Sequence, residues 1–166
     1  MKNMKAIIVI ISVIITIFFA TILVINRLRF RTFEQEEVVL TMAIFPGATT
    51  SNSHLIRITE TGLMRIQLGT RIDGMGNLPS ERFFHDISRD RIKRLTDEEL
   101  QTLMGLAEEL RISDYPMERG IAEGTWEVVL YYGGKIYEMD LSVHMEFVTF
   151  QTLVEKIVLL GPGRIQ

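Results

Sequence analysis

The stretch TWEVVLYYGGKIYEMDL, residues 125–141, decides the fold, because two apolar-rich segments flank a Gly-Gly pair in it. Two consecutive glycines favour a two-residue type I′ turn, which fixes the residues that lie opposite each other in the two strands. In that register, one face carries only apolar side chains: Trp126, Val128, Leu130, Tyr137, Met139 and Leu141. The sequence therefore predicts a β-hairpin with one buried face.

A second hairpin is predicted at residues 54–68, where Glu60-Thr61-Gly62 suits a three-residue loop. Its register separates the side chains into an apolar face and a mixed face, which supports the pairing. The apolar face carries Ile56, Ile58, Met64, Ile66 and Leu68. Residues 38–45 form a further predicted strand, because this apolar segment ends at Pro46-Gly47.

Two helices complete the predicted domain. Thr96 and Glu99 form a capping box, and the apolar residues that follow recur at helical spacing. A last helix is predicted at residues 147–160 and ends at Gly161-Pro162. Residues 69–91 are predicted to form a long irregular loop. We therefore predict an α+β fold, in which both helices pack on one face of an antiparallel sheet of about five strands.

The element order of this domain resembles the small bacterial protease-inhibitor domains of the emfourin kind. The resemblance consists of a strand pair, a helix that opens with Leu-Thr-Asp-Glu-Glu-Leu at residues 95–100, another strand pair and a closing helix. It implies a protease-inhibitor-like module, and no functional residue is carried over. The apolar N-terminal segment described next departs from soluble inhibitors of that kind.

Residues 6–25 form a run of 20 residues without charge, Pro or Gly. As a helix such a run spans about 30 Å, which is the thickness of the hydrocarbon core of a bilayer. The run is longer than the apolar region of a cleaved signal and lacks a small-x-small cleavage pattern. We predict a single-pass signal anchor in residues 1–31 and a soluble domain in residues 32–166, with the domain outside the cytoplasm. Small residues at four-residue spacing define a candidate helix–helix contact for homo-oligomers: Ser12, Thr16 and Ala20.

Charge is distributed unevenly between the two parts. Residues 1–31 carry five basic and no acidic side chains, whereas the remainder carries 13 basic and 21 acidic side chains. A domain with that excess of acid is a poor binder of nucleic acid. The chain has no Cys, which excludes disulfides and Cys-ligated metal sites.

The polar face of the predicted sheet supplies the candidate binding residues. Arg57 is predicted opposite Arg65, and Glu127 opposite Asp140, with Glu138 nearby. Like charges directly opposite each other are unfavourable, so we expect the hairpins to lie side by side with arginines facing acids. The alternative is a charged face that binds a carboxylate, a phosphate or a cation.

No motif indicates catalysis or a cofactor. The histidines His54, His85 and His144 are far apart, and HExxH, GxSxG and phosphate-binding glycine loops are absent from the sequence. Residues 89–94 contain a basic cluster whose charge Asp86 and Asp90 partly offset: Arg89, Arg91, Lys93 and Arg94. We expect this cluster to be solvated, or to contact anionic headgroups or an acidic partner.

The predicted function is that of a membrane-anchored binding module that binds a protein partner and uses no cofactor. One alternative is a subunit that assembles into a membrane complex through its transmembrane helix. The other is an inhibitor-like module, or a hydrolase with a site in the 69–91 loop.

Overall fold

The computed structural model describes residues 2–46, 49, 51–72, 83–113, 126–140 and 148–161. The elements follow one another as α1 (Lys2–Gln35), β1 (Val38–Pro46), β2 (Ser53–Thr59), β3 (Leu63–Arg71), β4 (Phe84–Arg94), α2 (Asp97–Ile112), β5 (Trp126–Tyr132), β6 (Lys135–Asp140) and α3 (Val148–Leu160). The chain divides into two compact units, Met1–Gln35 and Glu36–Gln166.

The first unit consists of the helix α1, which contains the predicted apolar run at residues 6–25. The side chains described between residues 10 and 25 are all exposed. In the part of the chain that the structure describes, none of the helices has the length and hydropathy needed to cross a membrane. This finding does not support the predicted transmembrane helix.

The second unit is an α+β domain built on an antiparallel sheet, as predicted. Among the residues that the structure describes, the sheet has six strands in the order β4-β3-β2-β1-β5-β6, and every neighbouring pair is antiparallel. The additional strand is β4, which falls mostly inside the segment predicted to be an irregular loop. That prediction is wrong for residues 69–71, which belong to β3, and for residues 84–91, which belong to β4, whereas residues 73–82 lie outside the described part of the chain.

Both predicted hairpins are confirmed with their registers. Ile56 lies opposite Ile66 in β2–β3, and Val128 lies opposite Met139 in β5–β6. The turn glycines have the positive φ angles that these loops require, 83° at Gly62 and 78° at Gly134. Local turn chemistry therefore fixes both registers.

The helices α2 and α3 cover one face of the sheet, as predicted. Their buried side chains form one apolar cluster with those of the sheet, including Leu103, Leu110, Phe150, Met42 and Leu130. The predicted capping box is also present. The Thr96 hydroxyl accepts a hydrogen bond of 3.1 Å from the Glu99 backbone N–H, and the Glu99 carboxylate accepts one of 2.7 Å from the Thr96 N–H.

The second face of the sheet is partly apolar, although the sequence predicted a polar face. It carries a smaller buried cluster of Ala43, Phe45, Leu55, Phe83 and Val129. Phe83 immediately precedes β4, and its ring lies 6.3 Å from that of Phe45, measured between centroids. The segment that leads into β4 therefore packs against the middle of this face.

Candidate functional site

The predicted arginine pair lies on the second face of the sheet. Arg57 of β2 is directly opposite Arg65 of β3, as the hairpin register predicted. Two like charges at opposite positions repel each other unless other groups compensate for them. The neighbours of these arginines therefore determine what the pair can do.

The predicted side-by-side arrangement of the two hairpins is wrong, because β1 lies between β2 and β5. Thr41 of β1 is opposite Arg57 on one side and opposite Tyr131 on the other. A row of β1 side chains therefore separates the arginines from the acids of the second hairpin. The sequence did not reveal this, because strand order depends on contacts between distant segments.

Asp90 of β4 compensates for the charge of Arg65. Arg65 donates two hydrogen bonds to its carboxylate, from Nε at 3.1 Å and from Nη2 at 2.7 Å. Gln67 adds a third bond of 3.1 Å from Nε2 to the same carboxylate. The side chains of Arg65 and Asp90 are only 16% and 24% exposed. This bidentate, partly buried pair stabilises the β3–β4 contact.

The predicted acid pair is also confirmed in its register. Glu127 lies opposite Asp140, and Glu138 lies opposite Val129. Glu127 lies opposite Phe45 of β1. Phe45 is four residues along β1 from Thr41, which lies opposite Arg57. The five predicted residues therefore occupy two separate parts of the second face. Their joint role as a binding face stays a prediction.

A cleft of about 530 Å³ lies at the end of the sheet where β1 begins. The carboxylates of Glu37, Glu60 and Glu108 line it together with Tyr131 and Tyr132. Tyr131 is 43% exposed there. The cleft thus combines acidic groups with accessible aromatic surface, a composition suited to contact with a protein.

Arg111 neutralises one of these carboxylates. Its guanidinium donates to both oxygens of Glu108, at 2.8 Å from Nε and 2.5 Å from Nη2. These hydrogen bonds lower the pKa of Glu108 and raise the pKa of Arg111. Burial, followed by the charge of Glu108, raises the pKa of Tyr132, which stays a neutral phenol at pH 7. The ion pair therefore keeps both Glu108 and Arg111 charged at that wall of the cleft.

Within the described residues, no three His, Asp or Glu side chains are grouped as a metal site would require. His144 lies outside the described part of the chain. His54 is only 6% exposed, although it lies near the start of a strand. It lies between Ile44 and Leu68 in the sheet, with its ring 6.4 Å from that of Trp126. The sequence missed this because a polar residue at a strand end suggests exposure.

We expect His54 to make the domain less stable as the pH falls. Burial, and then the charge of Arg89, lowers its pKa below the ordinary value of 6.5. The unfolded chain therefore takes up this proton first. The contribution of His54 to stability is complete above about pH 6.5 and declines below it, with a slope of at most about 1.4 kcal/mol per pH unit.

Urea unfolding of the full chain in detergent, at about pH 7.5 and about pH 5.5, measures this slope. His54→Leu should reduce the loss of stability between the two pH values. His85→Leu is the matched control, because His85 is exposed in β4. An equal reduction in both variants would contradict the prediction.

The predicted helix–helix contact lies in the first unit. The Thr16 hydroxyl donates a hydrogen bond of 2.9 Å to the Ser12 carbonyl, so its polar group is satisfied within α1. Ser12, Thr16 and Ala20 are all exposed. Self-association through these residues stays a prediction.

Comparison with known proteins does not assign this chain to a family. It matches neither a protein-family model nor a curated protein. Its function is therefore argued from the chain's own residues.

Proposed function

We propose that this chain is a single-pass membrane protein whose α+β domain lies outside the cytoplasm and binds a protein partner. The observation that carries this proposal is the exposure of α1. Each side chain described between residues 10 and 25 is exposed, and consecutive helical residues point in all directions around the axis. A helix that is apolar on all sides needs an apolar environment on all sides.

The energetics favour a bilayer as that environment. Twelve of the described side chains at residues 10–25 are exposed large hydrophobics. Transfer of each from water contributes about 1.5–3 kcal/mol. The uncharged sequence extends from Ala6 to Ile25, which matches the thickness of the hydrocarbon core.

The proposed orientation follows from the layout of the chain. Lys2 and Lys5 precede the apolar run, whereas Arg27, Arg29 and Arg31 follow it. Two basic residues before the run and three after it differ too little for the positive-inside rule alone to decide the orientation. Basic residues before a long apolar run, with a folded domain after it, are typical of a signal anchor. We therefore place the N-terminus in the cytoplasm.

The cleft beside Tyr131 supports binding as the role of the domain. An exposed aromatic ring next to carboxylates offers apolar contact and charge recognition at the same place, as protein interfaces do. The sequence contains no recognised catalytic motif that would favour an enzyme instead. Fold alone does not name the partner.

Membrane extraction tests the anchor. The full chain with a C-terminal tag should stay in the membrane pellet through washes with high salt and alkaline carbonate, and only detergent should release it. Release by carbonate would overturn the anchor. In cells stripped to the inner membrane, protease should remove the tag without detergent. Protection of the tag would overturn the orientation.

A second candidate function is that of a subunit which assembles through α1. The small side chains of Ser12, Thr16 and Ala20 favour it, because small residues at four-residue spacing let another helix approach closely. Replacing residues 6–25 by an unrelated anchor separates the two functions. A binding domain keeps its partner after the exchange, whereas a subunit that packs through its helix loses it.

A further inference from the structure

Two glutamates lie opposite each other where the pairing of β1 with β2 ends. Glu37 and Glu60 come directly after the outermost residue pair of these strands. The Glu60 N–H donates a hydrogen bond of 3.2 Å to the Glu37 carbonyl, and both residues are exposed and line the cleft of about 530 Å³ beside Tyr131. Like charges at opposite positions repel each other. This pair is therefore unfavourable unless a positive group compensates for it.

The basic residue that lines the cleft is already engaged elsewhere. Arg111 donates to both carboxylate oxygens of Glu108, and its side chain crosses Gly133 so closely that a Cβ atom there would lie 2.6 Å from Cδ of Arg111. Neither Glu37 nor Glu60 has a side-chain hydrogen bond or ion pair with another residue that the structure describes. The like-charged pair is therefore left without the compensation that Asp90 gives to Arg65.

Three further basic residues lie near the cleft and do not line it. The Lys135 Nζ donates a hydrogen bond of 2.8 Å to the Arg111 carbonyl, at the end of α2. The Arg94 Nη1 donates one of 3.0 Å to the carbonyl of Thr61. Arg57 is two strands away from Tyr131, which is about 10 Å. The described lining therefore carries three carboxylates and one guanidinium, which leaves it negative.

The wall that carries Glu37 is held in place. The hydroxyl groups of Thr59 and Thr61 both donate to the carboxylate of Glu36, the Thr59 bond being 2.7 Å long. Together with the bond from the Glu60 N–H, these contacts fix residues 36 and 37 against the turn between β2 and β3. A wall that is fixed before binding loses little entropy when a ligand arrives.

Tyr131 adds an aromatic surface to this negative cleft. Its side chain is 43% exposed and lines the cleft together with the glutamates. The face of an aromatic ring attracts a cation, most strongly when carboxylates lie beside it. An arginine side chain uses both groups, because its planar guanidinium stacks on a ring and donates several N–H groups to carboxylates. The volume of the cleft lies within the range of ligand pockets, about 300–1,000 Å³.

We propose that this cleft binds an arginine side chain of the protein partner. The guanidinium lies between the carboxylates of Glu37 and Glu60 and against the ring of Tyr131. An anionic lipid headgroup does not fit this site, because it would add to the negative charge. The inference rests on the proposed function, since it takes the domain to bind a protein, and it does not depend on the orientation of the anchor.

Met104 provides a probe inside the cleft, which it lines. The full chain with ¹³C-methyl methionine, in nanodiscs of neutral phospholipid, is titrated with N-acetyl-arginine methylamide, and Met104→Leu assigns the signal. We expect a saturable shift of the Met104 methyl with a Kd on the order of 1 mM. The neutral citrulline analogue, which has nearly the same shape, should bind at least about tenfold more weakly at equal ionic strength, a loss of about 1.4 kcal/mol.

Glu37→Gln with Glu60→Gln should also weaken binding of the arginine analogue at least about tenfold. Glu98→Gln with Glu155→Gln is the matched control, because both residues are exposed and do not line the cleft. The methyl signals of Met42 and Met64, which are fully buried in the core, report whether each variant keeps its fold. The comparison of arginine with citrulline uses the unchanged protein and needs no variant.

Three results would overturn the proposal. The first is that the arginine analogue gives no saturable shift of Met104 up to about 20 mM. The second is equal binding of the arginine and citrulline analogues. The third is tighter binding of free arginine than of its blocked analogue, which would assign the cleft to a small molecule. None of these titrations involves the partner or carbonate extraction, so a failure here is distinguishable from failure of the proposed function.

Discussion

Replacing Gly69 by alanine should lower the free energy of unfolding by about 3 kcal/mol, near the upper end of the range for overpacked sites. A Cβ atom at this position would lie 2.1 Å from the backbone oxygen of Asp86 and 2.9 Å from Cδ1 of Phe84. The oxygen belongs to the neighbouring strand and cannot rotate away as a side chain can. Gly69 also lies at the irregularity in the β3–β4 register, so β4 would have to shift to make room.

Gly105→Ala is the matched control for this substitution. A Cβ atom at Gly105 meets no atom within 4 Å, and the residue lies inside the helix α2. The same chemical change should therefore stabilise the protein there, by about 0.5–1 kcal/mol. Urea unfolding of both variants in detergent measures the difference. Similar effects of the two substitutions would contradict the predicted close approach of β3 and β4.

Replacing Phe83 by alanine should have the largest effect on stability, a loss of about 3–5 kcal/mol. Phe83 is only 1% exposed. Its ring packs edge-on against Phe84, with centroids 4.9 Å apart, and also contacts the buried cluster around Phe45. Removal of the ring leaves a cavity on the second face of the sheet, where Leu55 and Val129 lose their cover.

The control for Phe83 is Ile87→Ala in the same part of the chain. Ile87 is 48% exposed, so its truncation leaves little cavity and should cost less than about 1 kcal/mol. Unfolding by urea gives both values under the same conditions. If the two variants lost similar stability, Phe83 would not be the residue that covers this face.

Local chemistry made much of the fold predictable. The glycines at residues 133 and 134 and the loop that ends at Gly62 set both hairpin registers, and Thr96 with Glu99 set the start of α2. Each of these signals lies within a few residues along the chain. The opposition of Arg57 to Arg65 followed directly from the turn.

The strand order and β4 depended on distant contacts instead. β1 lies between the hairpins because its two edges pair with segments on different sides of α2 along the chain. β4 lacks a clear apolar alternation, and its register with β3 is irregular beside Gly69. The sequence therefore predicted a loop there, whereas Asp90 of this strand supplies the compensation for Arg65 that was expected from the acid pair of Glu127 and Asp140. The sequence therefore predicted correctly that Arg57 lies opposite Arg65 and Glu127 opposite Asp140. It was wrong in placing the arginine pair next to the acid pair.

The central position of β1 also determines the order in which the strands can pair during synthesis. During synthesis, residues 38–94 are made before residues 126–132, and β1 to β4 can pair with one another before β5 exists. The second edge of β1 has no strand to pair with until residues 126–132 have been made. Until then the growing chain carries an open apolar edge beside Met42 and Ile44, which other unfinished chains can bind. Slow translation between α2 and β5 would therefore lengthen the period in which this protein is prone to aggregate.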